Sequence, residues 1–284
     1  MPAEPPVASP RSLSEAYALL AGGDGWRLLA GGTDLVVQIT GELGPPPDRV
    51  LDIWRLEELR GIRVDDDALV LGALTTYTDI RRSPLCQELL PALVEAAATI
   101  GAAQIQNRGT IGGNVMNASP AGDTLPILLA TNAAMVLGSA RGERSVPAPE
   151  FWPAYRQTAR REDELLVRVR IPLPVGRQVR FRKVGTRRAQ AISKVVMALA
   201  WREDGGVWRD VRLALGSVAA TPIRAIETER VLEGAAPRAA TADHAAETLP
   251  AEISPIDDVR STADYRRAVA ARVLHRLLRE EGGW

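Results

Sequence analysis

The sequence predicts an α+β protein in two domains, 1–175 and 176–284, and three observations carry this reading. Beyond residue 175, three long strand-like runs are followed by three helical segments, the order expected of a separate α+β unit. Before it, short strands and short amphipathic helices alternate around a long glycine-rich stretch. The composition, 46% hydrophobic and 25% charged over 284 residues, is that of an ordinary globular chain with length enough for two cores.

The elements follow in order. The lead carries prolines at 2, 5, 6 and 10 and is expected to be disordered over residues 1–10. Ser12 and Glu15 have the spacing of a capping box, Leu13, Ala16, Tyr17 and Leu20 share a helical face, and Gly22-Gly23 stop the helix. Trp26 to Ala30 reads as a buried strand running into Gly31-Gly32-Thr33-Asp34. Leu35 to Thr40 is a short stretch closed by Gly41, and Val50 to Ile53 is a further strand. Ile62 to Val64 and Leu69 to Leu71 flank Asp65-Asp66-Asp67 as a hairpin. Thr76 to Arg82 and Leu85 to Ile100 are helical, the second kinked or broken at Pro91.

From Gly101 to Ala121 periodicity fails, and so long a segment in a compact domain is expected to be a functional loop. Helix resumes at Thr124 to Ala130, then strands at Ala133 to Leu137 and Leu165 to Ile171. In the second half, Val179 to Val184, Ala191 to Trp201 and Val207 to Ser217 are strands, the last two joined by a turn at Asp204-Gly205-Gly206. Helices are expected around Arg224 to Leu232, Ala242 to Thr248 and Thr262 to Glu280.

Composition excludes several function classes. Basic and acidic residues both number 35, so no net charge draws the chain to nucleic acid. Cys86 is the only cysteine and His244 and His275 the only histidines, too few for an iron–sulfur cluster or a cysteine zinc site. Redox chemistry must therefore come from an organic cofactor or a partner. The start lacks a basic and an apolar leader region, and no stretch reaches the roughly 18 apolar residues of a membrane span; a cytoplasmic protein is expected. Neither histidine lies near a serine-bearing nucleophile elbow, which argues against a Ser/His/Asp hydrolase.

Two segments carry chemistry. In Leu29-Ala30-Gly31-Gly32-Thr33-Asp34-Leu35, two glycines after a strand let backbone N–H groups converge on an anion; a plain tight turn is the alternative. The second segment, Gly109-Thr110-Ile111-Gly112-Gly113-Asn114, continues through Ala118-Ser119-Pro120-Ala121-Gly122-Asp123. Two such turns suit a diphosphate, and Asp123 could accept from ribose or ribityl hydroxyls or serve as a helix cap. Neither a Rossmann fingerprint nor a P-loop is present. Lys183 and Lys194 are the only lysines among the basic residues and lie close to Arg177, Arg180, Arg182, Arg187 and Arg188, a strand that is either a solvated face or a local positive field.

LAGGTDL at Leu29 to Leu35, TIGGN at Thr110 to Asn114, ASPAGDTLP at Ala118 to Pro126 and FRKVGTRRAQAISKV at Phe181 to Val195 together resemble the FAD-binding (medium) subunit of the xanthine dehydrogenase and carbon monoxide dehydrogenase family of molybdenum hydroxylases. The resemblance continues through Gly216 to Pro222 with Arg224, and through Pro255 to Asp258 with Arg260, so it spans nearly the whole chain. It implies a vanillyl-alcohol-oxidase-type FAD-binding domain of two lobes, followed by a small α+β C-terminal flavoprotein domain. By matched position it implies FAD contacts at Leu29, Ala30, Gly31, Gly32, Thr33, Asp34, Leu35 and Val36, at Thr110, Ile111, Gly112, Gly113 and Asn114, and at Ile100, Asp123, Leu166 and Lys183.

Where relatives of this fold attach flavin covalently, they use His or Cys. Cys86, His244 and His275 all lie outside the glycine motifs, so the resemblance implies noncovalent FAD and no catalytic side chain. It also implies a molybdopterin-containing large subunit, a [2Fe-2S] small subunit and an electron acceptor such as NAD or a quinone. The rivals are a stand-alone FAD oxidoreductase of the same fold and a scaffold without flavin.

Overall fold

A computed structural model describes residues 5–23, 25–41, 45–187 and 190–284. The first lobe is a three-stranded parallel sheet in the order β1-β3-β2, built from β1 (Val7–Ala8), β2 (Trp26–Leu29) and β3 (Arg49–Asp52). Val7 and Ala8 pair with Val50 and Leu51, so this part of the expected disordered lead is instead a strand, held by backbone pairing that its prolines do not interrupt. Residues 1–4 of that lead lie outside the described residues.

Helix α1 (Leu13–Ala21) packs Ala16 and Leu20 into this lobe. Its cap is half a box: Ser12 Oγ accepts from the Glu15 N–H at 3.2 Å, but the Glu15 carboxylate takes the Arg11 N–H at 2.7 Å rather than that of Ser12. Helix α2 (Leu35–Thr40) follows β2 directly after the first glycine pair.

The second lobe holds a five-stranded antiparallel sheet in the order β4-β5-β8-β6-β7. β4 (Ile62–Asp65) and β5 (Ala68–Gly72) form the expected hairpin, with Asp66 at φ 54 in its turn. Helix α3 (Tyr77–Arg82) begins with a complete capping box between Thr76 and Asp79. Pro91 breaks the next helical stretch into α4 (Pro84–Leu89) and α5 (Pro91–Thr99). The expected loop from Gly101 to Ala121 is instead largely helical, with α6 (Ala103–Gln106) and α7 (Ile111–Asn117).

Helix α8 (Leu125–Ala130), β6 (Ala134–Ser139), β7 (Gly142–Pro147), α9 (Ala148–Phe151) and β8 (Leu165–Pro172) complete the lobe. β7 and α9 are absent from the sequence expectation, because the edge strand β7 is mostly exposed and polar and shows no apolar alternation.

The last sheet is antiparallel, in the order β12-β11-β10-β9, from β9 (Arg177–Val184), β10 (Val195–Asp204), β11 (Val207–Gly216) and β12 (Ile223–Arg224). It is buried on both faces. Val196, Ala198 and Ala200 pack toward α5 and α8, while Val195, Met197, Leu199 and Trp201 face α10 (Ile226–Leu232), α11 (Ala239–Thr248) and α12 (Ala263–Glu281). Burial on alternate sides explains why β10 reads as a continuous apolar run. No helix among the described residues is long and apolar enough to cross a membrane.

Candidate functional site

A cleft of about 1330 Å³ opens between the lobes and the last sheet. Pockets that bind drug-sized ligands run to roughly 300–1,000 Å³, so the cleft has room for an extended cofactor. It gathers Leu29, Ala30, Gly31, Gly32, Thr33, Asp34 and Leu35 from the first segment, Thr110, Gly112, Gly113 and Asn114 from the second, and Ile100, Asp123, Leu166 and Lys183.

Two of the expected lining residues are not among those that line it. Ile111 is fully buried, because its place in α7 turns it into the hydrophobic core beside Val115. Val36 in α2 is 47% exposed, and α2 buries none of its residues.

The two glycine segments differ physically. Gly32 has φ +78, a left-handed conformation that glycine adopts without the Cβ penalty of other residues. A Cβ on Gly31 would overlap the Arg108 carbonyl, so the backbones of the two segments touch there. The second pair is no turn: Gly112 and Gly113 occupy the first turn of α7, whose N-cap Thr110 accepts from the Gly113 N–H at 3.0 Å. Gly112 is required by packing, since its Cβ would lie 2.5 Å from the Ala73 carbonyl oxygen. Asn114 Oδ1 accepts from the Thr124 hydroxyl at 2.6 Å, tying α7 to the start of α8.

The N-cap of α8 is Thr124, so Asp123 is not the cap it could have been from sequence. Asp123 instead accepts on Oδ2 from Lys183 Nζ at 2.5 Å, and Lys183 also donates to the Thr99 carbonyl at 3.2 Å. Both side chains are only 8% exposed. Asp123 Oδ1 is buried, and among the described residues no donor reaches it within hydrogen-bond distance. Burial pushes the Asp123 carboxyl above its usual range, against the pull of the Lys183 ammonium. Burial likewise raises Asp34, opposed by Arg156. Tyr77 also lines the cleft; it is 3% exposed, and burial holds its hydroxyl in the neutral form.

Among the described residues, side chains of the arginine-rich strand meet separate neighbours. Arg177 is 8% exposed and reaches Asp210 at 3.1 Å and the Thr131 carbonyl at 3.0 Å. Arg180 lies over the Trp201 ring, and Arg182 donates to the Phe181 carbonyl. Lys194 stacks on Tyr265 with its Nζ 4.8 Å from the ring centroid. Arg188 lies outside the described residues.

Sequence reasoning missed Tyr77, whose N–H donates to the Gly109 carbonyl at 3.1 Å, and Ser193, whose hydroxyl meets that of Ser217 at 2.8 Å and the Ala121 carbonyl at 3.4 Å. Tyr77 carries no local signal, and Ser193 lies within the matched segment Phe181 to Val195 but nothing there singles it out, because each acts through a segment distant in sequence.

The site fits FAD. Backbone crowding at Gly31 and the left-handed Gly32 make a main-chain cradle suited to a diphosphate, and the buried Asp123 Oδ1, which has no partner among the described residues, suits a hydroxyl donor. Among the described residues no group of three His, Cys, Asp or Glu side chains could hold a metal ion.

Comparison with known proteins agrees. Residues 3–174 match the FAD binding domain in molybdopterin dehydrogenase, and residues 180–281 match the CO dehydrogenase flavoprotein C-terminal domain. The chain is 35% identical to the glyceraldehyde dehydrogenase medium chain of Sulfolobus acidocaldarius, over 95% of either chain. It is also 35% identical to the carbon monoxide dehydrogenase medium chain of Hydrogenophaga pseudoflava, over 95% of this chain and 94% of that one. A solved structure of carbon monoxide dehydrogenase from Hydrogenophaga pseudoflava that lacks the Mo-pyranopterin moiety superposes with a TM-score of 0.94 and 34% identity, covering 100% of this chain and 99% of that one. The α+β chain, with its two-lobed FAD-binding domain and C-terminal flavoprotein domain, therefore belongs to the FAD-binding oxidoreductase subunits of the xanthine dehydrogenase and carbon monoxide dehydrogenase family.

Proposed function

We propose that the chain is the flavin subunit of a multi-subunit molybdenum hydroxylase, receiving electrons from a partner's iron–sulfur clusters and passing them through noncovalent FAD to an acceptor such as NAD or a quinone. The observation that carries this is the cleft that joins the two glycine segments to the Asp123–Lys183 pair. FAD, when bound, supplies the exchange of electrons between carriers; the protein supplies binding, orientation and electrostatics.

In this reading the backbone of residues 29–35 and the first turn of α7 cradle the diphosphate. Lys183 fixes one oxygen of Asp123 so that the other accepts from a ribose or ribityl hydroxyl, and Ile100 and Leu166 close the apolar walls. With a single buried cysteine, Cys86, the chain itself has no ligand set for an iron–sulfur relay. The proposed partners are accordingly a molybdopterin-containing large subunit and a [2Fe-2S] small subunit in the cytoplasm, and the proposed division of this chain falls near Val175. The relatives' names point to different substrates, glyceraldehyde and carbon monoxide, consistent with substrate choice in another chain.

Pull-down of the tagged chain from its native host tests this. A stoichiometric complex carrying molybdenum and iron is expected. Robust substrate turnover by the lone flavoprotein with no metal detected would establish the stand-alone oxidoreductase instead.

A further inference from the structure

We infer that Arg108, seated on Trp54, is a positioning residue that sets the geometry of the first glycine turn and thereby the affinity of the cleft for its flavin dinucleotide; this rests on the FAD reading of the cleft. Trp54 follows β3, outside both glycine motifs. It is pinned at both backbone ends: its N–H donates to Asp52 Oδ1 at 2.9 Å, and its carbonyl accepts from Arg60 Nη2 at 2.5 Å. Two guanidiniums lie over its ring, Arg108 at 3.9 Å from the centroid and Arg60 at 4.5 Å. An indole face attracts a cation and prefers the flat guanidinium that can stack on it.

From that seat Arg108 Nε donates to the Gly31 carbonyl at 3.4 Å. The Gly31–Gly32 peptide unit is planar and trans, so fixing its C=O toward Arg108 turns the Gly32 N–H to the opposite side. Gly32 lines the cleft and Arg108 is not among the residues that do, so the guanidinium acts from behind the turn. The backbone of Arg108 adds a second constraint, because its carbonyl occupies the space a Gly31 Cβ would need. Arg108 also precedes Gly109-Thr110, the entry to α7. One residue thus links the two segments that meet the cofactor: its side chain orients the first, and its backbone belongs to the approach to the second.

Arg108→Gln, Trp54→Leu and the double variant test this in the full chain, with FAD affinity read by flavin fluorescence and apo-protein unfolding read by circular dichroism. Loss of a stacked, charge-assisted contact to the turn is expected to weaken FAD binding about 10-fold in Arg108→Gln. Apo-protein Tm should move little, because the guanidinium is a surface group. Arg108→Lys, which keeps the charge but loses the planar fork, should not restore affinity. The double variant should bind FAD no worse than about the weaker single variant, since both substitutions remove one shared contact.

Wild-type affinity in Arg108→Gln, full rescue by Arg108→Lys, or fully multiplicative losses in the double variant would each overturn the inference. So would weakening that tracks a loss of apo-protein Tm. Failure of the wild-type chain itself to bind FAD would overturn the underlying reading of the cleft instead.

Discussion

Lys183→Met isolates the buried ion pair. The substitution keeps an unbranched side chain of similar length but removes the cation that lies 2.5 Å from Asp123 in a site where both side chains are 8% exposed. An uncompensated buried carboxylate costs about 3–5 kcal/mol when its partner is removed. For a chain of this size that corresponds to a fall in Tm on the order of 10 °C. The sign with pH follows from the raised Asp123 carboxyl. The folded chain holds that proton more tightly than the unfolded one, so the contribution of Asp123 to stability is fully present below its ordinary value of 3.8 and is lost as pH rises through the raised folded value. Removing Lys183 raises the carboxyl further, so the Tm deficit of the variant should be small in acid and grow as pH rises toward neutrality. Thermal melts by circular dichroism across about pH 4 to pH 8 read this directly. Adding Asp123→Asn to Lys183→Met should recover most of the Tm, since neither charge of the pair remains, while FAD affinity stays low. A deficit that is independent of pH, or a double variant no more stable than Lys183→Met, would refute the argument.

The glycines separate into two kinds. Gly32→Val should abolish FAD binding with a stability loss of roughly 1–3 kcal/mol, because a β-branched residue resists φ +78; retention of wild-type FAD occupancy would make Gly32 a turn and nothing more. Gly112→Val should lower apo-protein Tm itself, since even its Cβ would lie 2.5 Å from the Ala73 carbonyl oxygen, and an unchanged Tm would contradict the packing role. Thr110→Ala removes the cap of α7 and should cost about 0.5–2 kcal/mol, visible as a lower Tm that added FAD partly restores.

The strands of the last sheet were legible because their apolar runs are long: β10 is buried from Val195 through Trp201, and its turn to β11 carries consecutive glycines. The break at Pro91 was legible for the same local reason, a ring that cannot continue the helix. Helix α7 was not, because Gly112, Gly113 and two asparagines give Ile111–Asn117 little intrinsic helical preference. Its stability comes from the Thr110 cap and from packing on Ala73, a tertiary contact that no local window contains. In the site, Gly31, Gly32 and Asp123 announced themselves by residue type and spacing. The contact between Asp123 and Lys183 spans 60 positions, and that between Arg108 and Gly31 spans 77, so the motifs carried Gly31, Asp123 and Lys183 but neither their pairing nor Arg108. The arginines of β9 show the converse: a charge run that the sequence leaves open between a solvated face and a local positive field resolves, for Arg177, Arg180 and Arg182, into separate contacts with Asp210, Trp201 and backbone carbonyls.

The central claim is that this cleft binds FAD, and the most direct measurement is the visible spectrum of the purified chain, followed by identification of the cofactor that heat or acid releases. A flavin spectrum near one equivalent per chain is expected, with release of intact FAD rather than FMN. Colourless protein that takes up no added FAD, or flavin that stays attached after denaturation, would contradict it.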